Sequence, residues 1–167
     1  MNIFCNHCYG AELYKKLEIQ YSTPLIWSLM LPRDYFIFIS NLELYINIEP
    51  ILIKNISEID DLPNFDLVQE KQKIYPGYSV IKIKNIYIHF LHHKGNDVIS
   101  KFNIRKNRFI HNKHCSIFLF VKNKYSKKED VSNFNNIAAQ HKFLIEELDA
   151  KHWNYNKIIK DIKNLLK

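Results

Sequence analysis

The sequence predicts an α/β fold: a single three-layer domain in which a mixed β-sheet is flanked by helices. Three observations carry this expectation. Short apolar runs such as "NIFC", "PILI" and "CSIFLFV" alternate along the chain with segments whose apolar residues recur at helical spacing. The stretch "YSVIKIKNIYIHFL" alternates apolar and polar residues over two runs that meet near Lys84 and Asn85, the pattern of a tight antiparallel hairpin. The 167 residues are 47% hydrophobic and 14% aromatic, far from the composition of a disordered chain and enough for one core without disulfides or a structural metal.

Taken in order, "NIFC" is a strand that stops at the loop "NHCYG", and "AELYKKLEI" follows as a helix with Leu13 and Leu17 on one face. "TPLIWSLML" is expected as a second buried strand closed by Pro32. From Asp34 the pattern turns helical, with Tyr35, Phe38, Leu42 and Tyr45 along one face and Phe36 and Ile39 beside them. "PILI" is a brief third strand. Residues 55–77 are polar, acidic and punctuated by Pro63, Pro76 and Gly77, which predicts a surface connection with one helical turn. After the hairpin, "NDVISKFNIRKNRF" reads as a helix capped by Asn96 or Asp97, and "CSIFLFV" as a central strand. Two helices, around 127–138 and 154–166, complete a helical tail over 122–167 and a single domain over 1–167.

Net charge is +7, and its distribution is uneven: residues 1–70 hold 4 basic and 10 acidic groups, residues 71–167 hold 20 and 7. An anionic ligand would therefore be held mainly by the second half. Only Arg33, Arg105 and Arg108 are arginines, and no nucleic-acid-binding module is recognisable, so no nucleic acid is expected as partner. Three cysteines and no visible signal peptide predict a cytoplasmic protein, and the longest apolar run, "PLIWSLMLP", is about half of what spans a bilayer. The lysine-edged "KIIKDIKNLLK" limits membrane contact to the periphery.

Three constellations could carry chemistry. In "IYIHFLHHKGND" the period of a strand puts His89 and His93 roughly 13 Å apart with His92 facing away, so the motif alone makes no metal chelate. One or two of its histidines at a strand end could instead act as base or hydrogen-bond donor; His92 with Asp97 also matches an H-x4-D spacing. "CNHC" could be a zinc or dithiol half-site completed by His111, His114 or Cys115, but the pairs lack a diagnostic spacing and no metal is expected. The backbone of Asn6 to Gly10, between strand and helix, could hold an anion, with Gly10 admitting close approach and Cys8 as a nucleophile. Lys101, Arg105 and Arg108, spaced i, i+4 and i+7, share one helical face suited to phosphate or carboxylate. Phosphate-loop, dinucleotide-fold and nucleophile-elbow motifs are absent from the sequence.

In their order along the chain, "NHCYGAELYKKLEIQYSTPLIWSLMLPRDYFIFISNLELYI", "YPGYSVIKIKNIYIHFLHHK" and "KFNIRKNRF" resemble a bacterial domain-of-unknown-function family, DUF1919, whose members are often labelled exopolysaccharide biosynthesis proteins. The resemblance covers residues 4–121 and leaves the tail divergent. Asn6, Cys8, Gly10, Tyr14 and Leu17 match the family's opening motif, His89 and His92 its histidine-phenylalanine-leucine-histidine strand end, and Arg105 and Arg108 its arginine-rich helix. Ala11, Phe102 and Ile104 depart from it. The resemblance implies a three-layer α/β fold and a setting in capsule or exopolysaccharide assembly.

The expected function is transfer, most plausibly of an acyl group, to a sugar or saccharide precursor, with a saccharide or activated sugar as partner and an acyl-CoA or sugar-nucleotide donor as cofactor. His89 or His92 would take the acceptor's proton, Asn6, Cys8 and Gly10 would shape an oxyanion site, and Lys101, Arg105 and Arg108 would hold an anionic donor. The alternative is a non-catalytic component of polysaccharide assembly that binds an anionic saccharide or a partner.

Overall fold

The computed structural model describes residues 1–53, 65–111, 115–123, 126–146 and 155–165. Strand β1 (Asn2–Cys5) leads into helix α1 (Tyr9–Lys16), and α2 (Pro32–Ser40) and α3 (Leu42–Ile46) precede β2 (Ile51–Ile53). Next come α4 (Phe65–Ile74), β3 (Ser79–Ile83), β4 (Ile86–Phe90) and α5 (Asp97–His111). The chain continues through β5 (Ser116–Lys122), α6 (Lys128–Asn136), β6 (His141–Glu146) and α7 (Tyr155–Leu165).

This is the α/β class read from the sequence, but the described strands divide between two sheets rather than sharing one. A parallel sheet has the order β1-β5-β6, with the apolar run at 116–122 at its centre, and an antiparallel sheet has the order β2-β3-β4. Period-2 alternation sets the layers. Ile3 and Cys5 of β1, with Ile117, Leu119 and Val121 of β5, face Leu13 and Tyr14 of α1 and Ile158 and Ile162 of α7. Phe4 and Phe120, on the opposite face, join Phe38 of α2, Ile81, Ile88 and Phe90 of the hairpin and Phe102 of α5 in a second core. The outer face of the hairpin contributes Val80 to a third, smaller cluster with Cys8, Leu29, Leu31, Tyr78 and Leu91.

The hairpin turns at Lys84 and Asn85 as expected, with Lys84 in the left-handed region at φ 56°. Three expectations are corrected. "TPLIWSLML" is not a strand: residues 24–27 form a turn, Trp27 has φ 58°, and only Leu29 makes an isolated bridge, to His89. Pro24 lacks an N–H and a positive φ lies outside the β region, so the apolar run cannot extend. The 28–30 segment instead ties the sheets together, for Leu29 exchanges two main-chain bonds with His89 (2.7 and 2.9 Å) while the Met30 N–H donates to the Asn6 carbonyl at 2.9 Å. Second, the expected surface connection holds the ten-residue α4, in which Val68 is buried; residues 54–64 lie outside the described residues. Third, the tail is not all helical, because β6 pairs in parallel with β5 from Ile117↔His141 to Lys122↔Glu146. Its charged ends mask an alternation in which Phe143 and Ile145 reach the core.

Candidate functional site

The end of β4 is the point where the predicted residues converge, and its histidines occupy different environments. His89, on the strand, is fully buried. Its Nδ1 lies 3.2 Å from the Tyr78 hydroxyl, and no described residue bonds its Nε2. Burial holds the ring neutral, lowering its pKa from 6.5 to about 4. His92, two residues past the strand, is exposed. Its ring stands edge-on to Trp27 (centroids 5.1 Å apart, planes at 77°) and to Tyr75 (5.0 Å, 72°). Partial burial and the Lys15 ammonium depress its pKa while the Glu12 carboxylate opposes them, leaving it below 6.5. His93 turns to the other side, where Lys101 Nζ lies 3.1 Å from its Nδ1. Burial, then Lys101 and Arg105, lower its pKa to about 4.

The loop after β1 sits beside this strand end. The Asn6 side chain extends the β1–β5 ladder: its Oδ1 accepts from the Val121 N–H at 2.8 Å and its Nδ2 donates to the Val121 carbonyl at 3.2 Å. Gly10 lies inside α1, not in a ligand-facing loop. A Cβ there would stand 2.6 Å from Cys5 Cβ, so the close approach that requires glycine is helix on strand. Cys8 is the residue before α1; its thiol is buried 3.9 Å from the Ser28 carbonyl, and desolvation raises its pKa to about 12. His7 is likewise buried, and desolvation followed by the nearby charges of Lys71 and His92 lowers it to about 4. A thiol and two imidazoles are thus held uncharged at neutral pH beneath the surface that His92 occupies.

The cations of α5 are turned to the protein itself. Arg105, buried, donates from Nη1 to the Ile26 carbonyl at 2.9 Å, and Arg108 donates to the Tyr21 carbonyl at 3.3 Å. Lys101 is ion-paired with Asp97. Asp97 therefore orients Lys101 rather than His92, and the H-x4-D pair is not formed. Of the zinc half-sites, His114 lies outside the described residues, and among those described no group of three or more His, Cys, Asp or Glu side chains is placed to hold a metal. A cavity of about 410 Å³ between Leu42, Ile46 and Phe109, and another of about 380 Å³ beside Ile39 and Asn133, both lie away from the histidines.

The profile of a family described as Domain of unknown function (DUF1919) matches residues 1–165. The chain belongs to that family. No curated protein matches it. Membership extends past the resemblance read at 4–121 and takes in nearly all of the tail, β6 and α7 included. No helix among the described residues of this DUF1919 domain is long and apolar enough to cross a membrane.

Sequence reasoning missed Trp27 and Tyr75. Apolar composition places Trp27 in a strand interior and polarity places Tyr75 in a surface connection, whereas both flank His92. The Pro76-Gly77 pair marked the helix end that presents Tyr75. The left-handed backbone of Trp27 leaves no mark in the sequence.

Proposed function

We propose that this DUF1919 domain transfers an acyl group from a thioester donor to a hydroxyl of a saccharide precursor, in the cytoplasm, as a step of capsule or exopolysaccharide assembly. The observation that carries the reading is His92: a solvent-exposed imidazole with a depressed pKa, seated at a strand end between two aromatic rings. A neutral imidazole is the form that accepts a proton. His92 takes the acceptor hydroxyl's proton, the oxygen bonds to the acyl carbon, the carbon–sulfur bond breaks, and the departing thiolate receives the proton from His92. Lys101, about a third exposed, lies against His93 and is ion-paired with Asp97, a carboxylate that a donor phosphate would have to displace. Cys115, an exposed free thiol, and the two buried free thiols suit a reducing compartment.

The test replaces His92 by Gln and, separately, His89 by Gln in a strain whose polysaccharide requires this gene. His92→Gln is expected to yield polysaccharide lacking the acyl group at unchanged protein level. Full acylation with His92→Gln would remove the base role. With purified protein, transfer should rise with pH through a pKa below 6.5 and stay level at neutral pH, because only the neutral ring works.

A second reading, a non-catalytic saccharide-binding component, draws on Cys8 and His89, which are buried and uncharged and so closed to a substrate at the surface. Saccharide binding without turnover of any acyl-CoA or sugar-nucleotide donor would favour it.

A further inference from the structure

The residues around Trp27 are fixed more firmly than a turn requires. A bulky side chain at φ 58° is an outlier, and such conformations persist only where their surroundings enforce them. On one side, Arg105 grips the Ile26 carbonyl at 2.9 Å and the Ser28 hydroxyl donates to the Leu25 carbonyl at 2.8 Å. On the other, Leu29 is bonded to His89 in both directions. The enforced conformation brings the indole to His92 on one hand and to the Lys15 ammonium, 4.4 Å from its centroid, on the other. Phe4, Phe38 and Phe90, at the centre of the core, are at 0% exposure, while Phe109 and Phe118 at its edge are half-buried against other phenylalanines. Trp27 and Tyr75 remain partly exposed and His92 exposed.

From this geometry we infer that Trp27 and Tyr75, with His92 between them, form the subsite that seats the ring of the acceptor saccharide. The ligand class rests on the reading of the site given above; the platform rests on the ring geometry. The His92 ring meets both neighbours at steep angles, 77° and 72°, so the three rings make a corner and not a parallel slot. A flat nucleobase stacks on an aromatic face, its plane parallel to the ring and usually offset from it. A puckered pyranose instead offers axial C–H bonds to aromatic surface and hydroxyls around its rim, and it suits a corner of amphipathic rings with charged groups beside it. Glu12 and Lys15, ion-paired at 3.2 Å, stand beside Trp27 and His92 as acceptor and donor for those hydroxyls.

The chain has two tryptophans, Trp27 and Trp153, so a Trp153→Phe background makes Trp27 the sole indole reporter. Its emission is titrated with methyl glycosides of a hexose, an N-acetylhexosamine and a hexuronate, and with adenosine and uridine monophosphates. A saturable change with at least one glycoside is expected, weakened tenfold or more by Tyr75→Ala. No saturable change with any glycoside, a response to nucleotides alone, or undiminished binding in Tyr75→Ala would overturn the subsite. Calorimetry on the unaltered chain and on Tyr75→Ala reads the same binding if Trp153→Phe fails to fold. The two readings separate cleanly: glycoside binding without acyl transfer leaves the subsite standing and removes the transferase, while acyl transfer whose acceptor KM is unchanged by Tyr75→Ala does the reverse.

Discussion

His89 and His92 lie three residues apart on one short segment and belong to two different regions. Below, His89, His7, Cys8 and Arg105 are buried; desolvation keeps the first three uncharged, and Arg105 is bonded to a main-chain carbonyl. Above, His92, Trp27 and Tyr75 are in part open to solvent, and they meet through ring edges. Polar chemistry clustered in the sequence is thus shared out between scaffold and surface. Residue types suited to catalysis are here used mostly to hold the surface residues in position.

The largest test of the buried region is acid. His7 and His89 have folded pKa values near 4 against 6.5 unfolded, so the unfolded chain binds more protons between those values. Their contribution is full above pH 6.5 and is lost as pH falls towards 4, about 3 kcal/mol for each. Asp34 works in the opposite sense: burial raises it from 3.8 to about 6, so its protonation returns about 3 kcal/mol over much of the same range. From these three groups a net loss of about 3 kcal/mol between pH 6.5 and 4 is expected, a large share of the stability of a small domain. The half-buried His93, also lowered to about 4, adds to it in the same direction. Urea unfolding across that range measures it, and His89→Phe should flatten the slope. A flat profile in the unaltered chain would mean that the two histidines are not sealed.

Next comes Arg105→Ala. It removes a charged hydrogen bond and leaves the buried Ile26 carbonyl without its partner, for an expected loss of about 2 kcal/mol. Trp27 emission should move with it, because the carbonyl precedes the strained residue. Arg108→Ala, at a longer contact to Tyr21 and a less buried position, should lose about 1 kcal/mol. If Arg105→Ala instead left stability unchanged and abolished donor binding, the α5 arginines would belong to the open region.

Much of the fold was legible because its signals are local. The hairpin was marked by alternation around Lys84 and Asn85, the central strand by the continuous apolarity of "SIFLFV", and α5 by its periodicity. The segment around Trp27 was not, since a buried turn crossed by Arg105 from 79 positions away has the same apolar composition as a buried strand. The two-sheet division was equally hidden, as was the tie between the sheets, in which Leu29 bridges to β4 while Met30 reaches back to Asn6. At the site, His92 could be named from its place at a strand end, yet spacing could not say which histidine is exposed. Gly10 in a loop sequence suggests room for a ligand; the space is taken by Cys5.

The smallest expected effect is the most discriminating. His92→Gln removes a ring that touches Trp27 and Tyr75 at their edges but is itself exposed, so its stability change should stay within about 0.5 kcal/mol. The neutral ring of the unaltered chain should gain a proton as pH falls below 6.5, and a charged imidazole 5.1 Å from the indole should alter Trp27 emission with that titration. In a Trp153→Phe background, His92→Gln should abolish the emission step while the unfolding midpoint in urea barely moves. A destabilisation of about 2 kcal/mol would instead place His92 with His89 among the groups that hold the fold, and the strand end would then have no open side.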